Sequence, residues 1–345
     1  MTDATVRAAF RTQAEWARRM GAPFTEALQT ALGEVIDRST AVGRRVLDWP
    51  GEPIADALVI RLLGGLHALV RSGDLPALAA LYPPHPAPDA GTLAARLAEA
   101  LADADVAARL LPWLDSPPQT NEVGRSAVLM AGLRAVAAAF PLPLRTVELG
   151  ASGGLNLRLD AYAYDLGGDR FGPADAPLTL APAWTGPPPP AADVRIAERI
   201  GVDIAPLDVA RDRDRLLAYV WPDQPARAAR LAAAIDAFVA DPAPLVKDDA
   251  ADFVEANVAP QPGVTTVVLH SIAFQYFPAA ARARIAAHLD RVGAGATPAA
   301  ALAWLRYEFD GPDATAASLR LVLWPDGDRL LARAHPHGAK VEWLG

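Results

Sequence analysis

Residues 147–156 read Val147-Glu148-Leu149-Gly150-Ala151-Ser152-Gly153-Gly154-Leu155-Asn156, and this stretch decides the fold. The run before it, Leu144-Arg145-Thr146-Val147-Glu148-Leu149, has the length and apolar content of a buried strand. A strand that ends in closely spaced glycines and leads toward a helix brings ligands to the main chain. Glycine lets the backbone turn sharply and lets a ligand approach closely. A helix after the turn offers unpaired N–H groups and a positive dipole end. Glu148 is placed to accept hydrogen bonds from a ligand or from the loop amides.

Outward from this loop the chain keeps an α/β rhythm. Strand-like runs recur at Ile200–Ile204, Val264–His270 and Ala301–Leu305, with helical patterns at Pro225–Ala240 and Ala279–Arg291 between them. Alternation of this kind predicts a mostly parallel sheet covered on both faces. Further on, Leu319–Leu323 and Arg329–Ala334 flank the turn Pro325-Asp326-Gly327-Asp328, and Val341–Leu344 follows. The sheet should therefore end in antiparallel edge strands.

Upstream the pattern is helical. Apolar residues recur every three or four positions through Val6–Met20, Phe24–Ile36, Ile54–Val70, Leu93–Leu111 and Val123–Phe140. Ser116-Pro117-Pro118 breaks the run, which predicts a helical N-terminal domain or lid over residues 1–117 and an α/β domain over 118–345. Gly167-Gly168 and the tract Pro187–Pro190 mark a β-rich insertion at 162–190.

Bulk composition narrows the partners. Of 345 residues, 52% are hydrophobic and 21% charged, ample for a core. The net charge of −8 lacks the basic footprint of a duplex binder, so no nucleic-acid partner is expected. There is no cysteine, which removes disulfides, thiolate metal sites and thiol nucleophiles, and the six histidines show no metal-ligand spacing. The N-terminus lacks the apolar core of a signal peptide, and prolines interrupt the longest uncharged stretch. The expectation is a soluble cytoplasmic protein with no membrane segment, no metal and a small-molecule substrate. Oligomeric state is not readable from the sequence.

The glycine string resembles motif I of class I S-adenosylmethionine-dependent methyltransferases, with Glu148 on the acidic position and Gly150 and Gly154 on the outer glycines. Ser152 replaces the middle glycine. The resemblance implies a Rossmann-like class I methyltransferase fold holding S-adenosylmethionine across Glu148, Gly150, Ser152, Gly153 and Gly154. It places Asp203 near the ribose, Asp249 near the adenine and His270 near the methyl group. Over residues 5–340 the chain also resembles an uncharacterised bacterial family that carries only a domain-of-unknown-function label. The motifs are Thr-Asn-Glu-Val-Gly-Arg-Ser (120–126), the glycine string and Trp-Pro-Asp-Gln (221–224).

Residue chemistry adds a substrate pocket and a base. A helix from about Glu122 that precedes the first strand runs antiparallel to it, so Asn121, Glu122 and Arg125 should lie at the same sheet edge as the loop. They serve there as pocket residues, beyond the N-cap that Thr120 or Asn121 can supply. His270 ends the strongest strand and is the catalytic candidate, since a neutral imidazole accepts a proton near physiological pH. The reading is a methyltransferase acting on a small molecule. Two alternatives stand beside it. Gly150-Ala151-Ser152-Gly153-Gly154 also fits the nucleophile elbow of a serine esterase, with Ser152 attacking, a downstream His270, His335 or His337, and Asp203, Asp249 or Glu308 as orienter. The other is a non-catalytic cofactor-binding or interaction protein.

Overall fold

Strand β1 (Leu144–Leu149) lies inside a nine-stranded sheet of the computed structural model, which describes residues 2–311, 314 and 316–345. All six residues of β1 are buried, as expected of a strand with neighbours on both sides and both faces covered. The other strands are β2 (Ala163–Leu166), β3 (Asp169–Phe171), β4 (Thr179–Leu180), β5 (Ala183–Thr185), β6 (Ile196–Asp203), β7 (Leu245–Lys247), β8 (Thr265–Ser271), β9 (Ala301–Phe309), β10 (Ala317–Leu323), β11 (Gly327–Ala334) and β12 (Lys340–Trp343). The large sheet has the order β5-β12-β11-β10-β9-β8-β1-β6-β7.

Its parallel part, β7-β6-β1-β8-β9, is a mixed α/β arrangement in which the first strand is central and the order reverses beside it. That is the topological switch point of an open α/β sheet, between β1 and β8. Strands β10 to β12 follow as an antiparallel meander, which the sequence anticipated as edge strands.

The chain divides into two compact units. One comprises Met1–Thr120 with Asp212–Ala229, the other Asn121–Arg211 with Arg230–Gly345. The helical unit thus takes in a segment, 212–229, that the sequence reading left with the α/β part. Its helices are α1 (Asp3–Arg19), α2 (Pro23–Val35), α3 (Ala41–Leu47), α4 (Leu58–Arg71), α5 (Pro76–Ala79), α6 (Ala90–Ala102), α7 (Ala104–Leu114) and, from the later segment, α9 (Arg213–Ala218), while α10 (Pro225–Ala240) runs across the division at 229/230. The single helix expected over 93–111 is two, because Asp103 ends α6 and its carboxylate accepts from the Asp105 and Val106 amides to start α7.

In the α/β unit, α11 (Ala250–Asn257) and α12 (Ala279–Gly293) bury Phe253, Val254, Ile285 and Leu289 against Val147, Leu149, Val202 and Val268. Helix α8 (Arg125–Ala139) packs on β9 and β10 and is nearly buried all round. Its sequence is apolar on every side, as a helix covered on more than one face requires. Gly132 makes the close approach possible: a Cβ there would lie 2.6 Å from Leu305.

The insertion at 162–190 differs from the expected flap in one respect. Strands β2, β3 and β4 form a separate three-stranded sheet, but β5 leaves it and pairs with β12 at the far edge of the large sheet. The short β7 was also not foreseen, because three residues carry too little periodicity to register.

Candidate functional site

Every strand of the parallel part ends at the same edge, and the chemistry collects there. The glycine loop follows β1, Asp203 closes β6, Asp249 comes two residues after β7, and Ser271 and Phe309 close β8 and β9. The backbone is strained at this edge. Ser152 has φ +54° and Ile272 has φ +49°, so adjacent strands β1 and β8 each lead into a non-glycine residue in the left-handed region. Such conformations cost on the order of 1–3 kcal/mol and gather at functional sites. The two loops touch, because a Cβ on Gly150 would stand 2.6 Å from Ala273 Cβ.

The loop itself is held by two side chains and one main-chain carbonyl. The Ser152 amide donates to Asp203 Oδ2 at 2.8 Å, and the Ala205 amide donates to Oδ1 at 2.8 Å. The Gly150 and Ala151 amides both donate to the Val202 carbonyl, at 2.8 and 3.1 Å. The Leu155 amide donates to Asn121 Oδ1 at 2.9 Å. This corrects the expectation that the loop amides face a ligand: most turn inward. Among the described residues the Gly153 amide has no acceptor, and the Ser152 hydroxyl has no partner.

A second correction concerns the helix after the loop. Residues Leu155–Ala161 form 3-10 turns with a kink at Arg158, not a long α-helix. The run is short, and its first amide is already capped by Asn121, so it offers little dipole to an anion.

Asn121, Glu122 and Arg125 do lie at this edge. Besides the Asn121 bond, Arg125 donates from Nη1 to the Ser271 carbonyl at 2.7 Å and from Nε to the Pro336 carbonyl at 3.0 Å. Glu122 accepts from the Gly124 amide at 3.0 Å and is buried with Asn121. The turn between β11 and β12, with His335 and His337, folds back on the start of α8, and Tyr307 donates from its hydroxyl to the His335 carbonyl at 2.6 Å.

Glu148 lies beneath the loop, 2% exposed, with its Oε2 unpartnered. Burial pushes its carboxyl up to about 8, helped by the Asp203 charge and opposed by a hydrogen bond from Asn156 and by Arg125. Asn156 in turn accepts from Ser126 Oγ at 2.7 Å. Asp249 accepts the Ala251 and Asp252 amides on Oδ1 and caps α11, while the Asp248 amide donates to the Asp203 carbonyl.

His270 is where the structure departs most from the sequence reading. It is fully buried, stacked on Phe274 with ring centroids 4.5 Å apart. Nδ1 lies 2.7 Å from Glu308 Oε1, and the Trp304 indole N–H donates to Nε2 at 3.1 Å. Both ring nitrogens are spent, so the ring has no lone pair left for a substrate proton. The same geometry leaves the esterase reading without a triad, since Ser152 Oγ has no imidazole partner. Trp304 and Asn156 were missed because each sits in an apolar run that reads as core.

Among the described residues no cluster of His, Asp or Glu could hold a metal ion. No helix among them is long and apolar enough to cross a membrane. The family profile described as an uncharacterised protein conserved in bacteria, DUF2332, matches residues 7–343. No curated protein and no solved structure matches the chain.

Proposed function

We propose that this chain, which belongs to the DUF2332 family of proteins conserved in bacteria, binds S-adenosylmethionine at the β1/β8 switch point and methylates a small molecule. The observation that carries the reading is the meeting of Asp203 with the glycine loop: an acidic side chain at the tip of the second strand holds the Ser152 amide of the loop after the first. A carboxylate has about four acceptor sites, and the protein uses two at Asp203, leaving two for a ribose diol.

Other features favour the same ligand. Ile204, next to Asp203, is 72% exposed, and Tyr276, just past β8, is 77% exposed. Large apolar side chains left open beside a polar site suit the faces of a purine. Unpartnered groups at Glu148 Oε2, Ser152 Oγ and the Gly153 amide give polar ligand atoms places to bond.

The cofactor supplies an electrophilic methyl carbon. The protein has to align the acceptor with it and exclude water, which needs few acid–base groups. Asn121, Glu122 and Arg125 fix the acceptor side of the edge, and the strand tips fix the other.

Calorimetric titration with S-adenosylhomocysteine tests the reading. We expect saturable one-site binding to the native protein. Asp203→Ala should weaken it tenfold or more. Ile204→Glu, at an exposed position, should weaken it with the melting temperature unchanged. Absence of binding to the native protein, or full affinity in both variants, defeats the proposal.

A further inference from the structure

Glu148 sits under the glycine loop among neighbours that dictate its charge. Val147 and Leu149 face α11 and α12, so Glu148 points to the opposite face of β1. There Asp203 from β6, Arg125 from α8, and Asn156 and Tyr162 from the segment after the loop act on it. Arg199, on the same face of β6, is paired with Asp160 through two bonds of 2.7 Å. On the other side β8 offers Leu269 in register, and His270 turns to the far face.

These partners leave the carboxyl neutral. Asn156 takes the Ser126 hydroxyl on Oδ1, which turns its amide N–H toward Glu148. Arg125 acts only through space, while its guanidinium donates to the Ser271 and Pro336 carbonyls. Glu148 Oε2 has no partner, and Asp203 adds a negative charge nearby. A buried carboxyl so placed keeps its proton at neutral pH, in line with burial pushing it up to about 8.

Position selects what would remove that proton. Methyl transfer puts the sulfur between the ribose it is bonded to and the acceptor it faces. With Asp203 on the ribose and Arg125 on the acceptor side, as proposed above, that place is beside Glu148, which feels both charges. A positive sulfur there favours the ionised acid, and low dielectric strengthens the pair. We infer, resting on that reading, that Glu148 releases its proton when a sulfonium ligand binds and keeps it when the thioether product binds. The carboxyl O–H breaks, the proton leaves to solvent, and the carboxylate stays as counter-ion. The site therefore prefers S-adenosylmethionine over S-adenosylhomocysteine increasingly as pH rises, which eases product release.

Infrared difference spectra of the native protein at about pH 6, between the unfolded and folded values of Glu148, test it. The carbonyl stretch of a protonated carboxyl should vanish on adding S-adenosylmethionine and persist with S-adenosylhomocysteine. Glu148→Gln should lose this ligand-induced change. Asp203→Asn keeps one oxygen for the loop amides but removes a charge, so the same band in its ligand-free form should titrate at lower pH. By calorimetry, the native affinity ratio of the two ligands should rise by up to about tenfold per pH unit below about 8. It should stay flat in Glu148→Gln relative to the native protein, since titration of the ligands' own amino groups is common to both. If S-adenosylhomocysteine fails to bind, the cofactor reading falls and this inference with it. Binding of both ligands with the band unchanged, an unmoved midpoint in Asp203→Asn, or the same ratio at every pH in native and variant protein overturns this inference alone.

Discussion

The indole N–H of Trp304 donates to Nε2 of His270 at 3.1 Å. Indole is a donor only, so Nε2 must accept, and the ring proton belongs on Nδ1, facing Glu308. Glu308 Oε1 also accepts the Ala273 and Phe274 amides, at 3.0 and 3.1 Å. A chain of bonds thus joins β9 to the strained turn after β8. We expect Trp304→Phe to cost about 1–3 kcal/mol, the value of a buried polar group left unpaired, in urea unfolding. Glu308→Gln should cost more, since it weakens three bonds to one charged oxygen.

Glu308 and Glu148 should respond to pH in opposite directions. Burial raises the Glu308 carboxyl, but the hydrogen bond from His270 and the two amides outweigh it and hold it below the usual range. The folded state therefore binds this proton less readily than the unfolded one. Its contribution is complete above the ordinary carboxylate range and is lost as pH falls through the folded value.

Glu148 is the reverse case. Its carboxyl is raised from 4.5 to about 8 in the fold, chiefly by burial. Between those values the folded state holds a proton that the unfolded state has released, so stability falls as pH rises through this window and levels off above it. The full loss is on the order of a few kcal/mol, at about 1.4 kcal/mol per pH unit. Glu148→Gln, neutral throughout, should flatten the slope between about pH 5 and 8 in chemical denaturation. An unchanged slope in the variant would show that another group causes it.

The sequence made the sheet legible because each core strand is an apolar run ended by turn residues. Leu144–Leu149 was read with its observed bounds, and the runs that became β8 and β9 were placed to within a few residues. The meeting of Asn121 with the loop was also foreseeable, since a helix before a central strand must return its start to that strand's far end. Other features were hidden because they depend on pairing at a distance. β5 is three residues long and gains its identity only from β12. His270 looked like a base because sequence shows a histidine at a strand end but not the indole beside it. The loop amides looked free because Asp203 and Asn121, 51 and 34 residues away, could not be seen to claim them.

Gly150 has φ +70°, and any Cβ there would press on Ala273. Left-handed backbone costs a side chain about 1–2 kcal/mol, and forced overpacking adds about 1–3. Gly150→Ala should therefore lower stability by about 2–5 kcal/mol in urea unfolding. A larger residue such as valine would disrupt the fold and could not separate ligand binding from folding. This is why Asp203 and Ile204 are the informative positions.

Asp249 gives the sharpest test of where the base would lie. Its Oδ1 accepts two amides and caps α11, so Asp249→Ala should cost about 1 kcal/mol through the cap alone. Asp249→Asn preserves a capping oxygen and should leave stability within about 0.5 kcal/mol, while removing a charged acceptor. If the other oxygen takes the exocyclic amine of adenine, the native protein should prefer S-adenosylhomocysteine over S-inosylhomocysteine, which lacks that amine, by about tenfold. In Asp249→Asn the preference should shrink toward unity. The two changes would then be coupled in a double-mutant cycle. Equal preference in both proteins would place the base elsewhere along the edge and leave Asp249 as a cap.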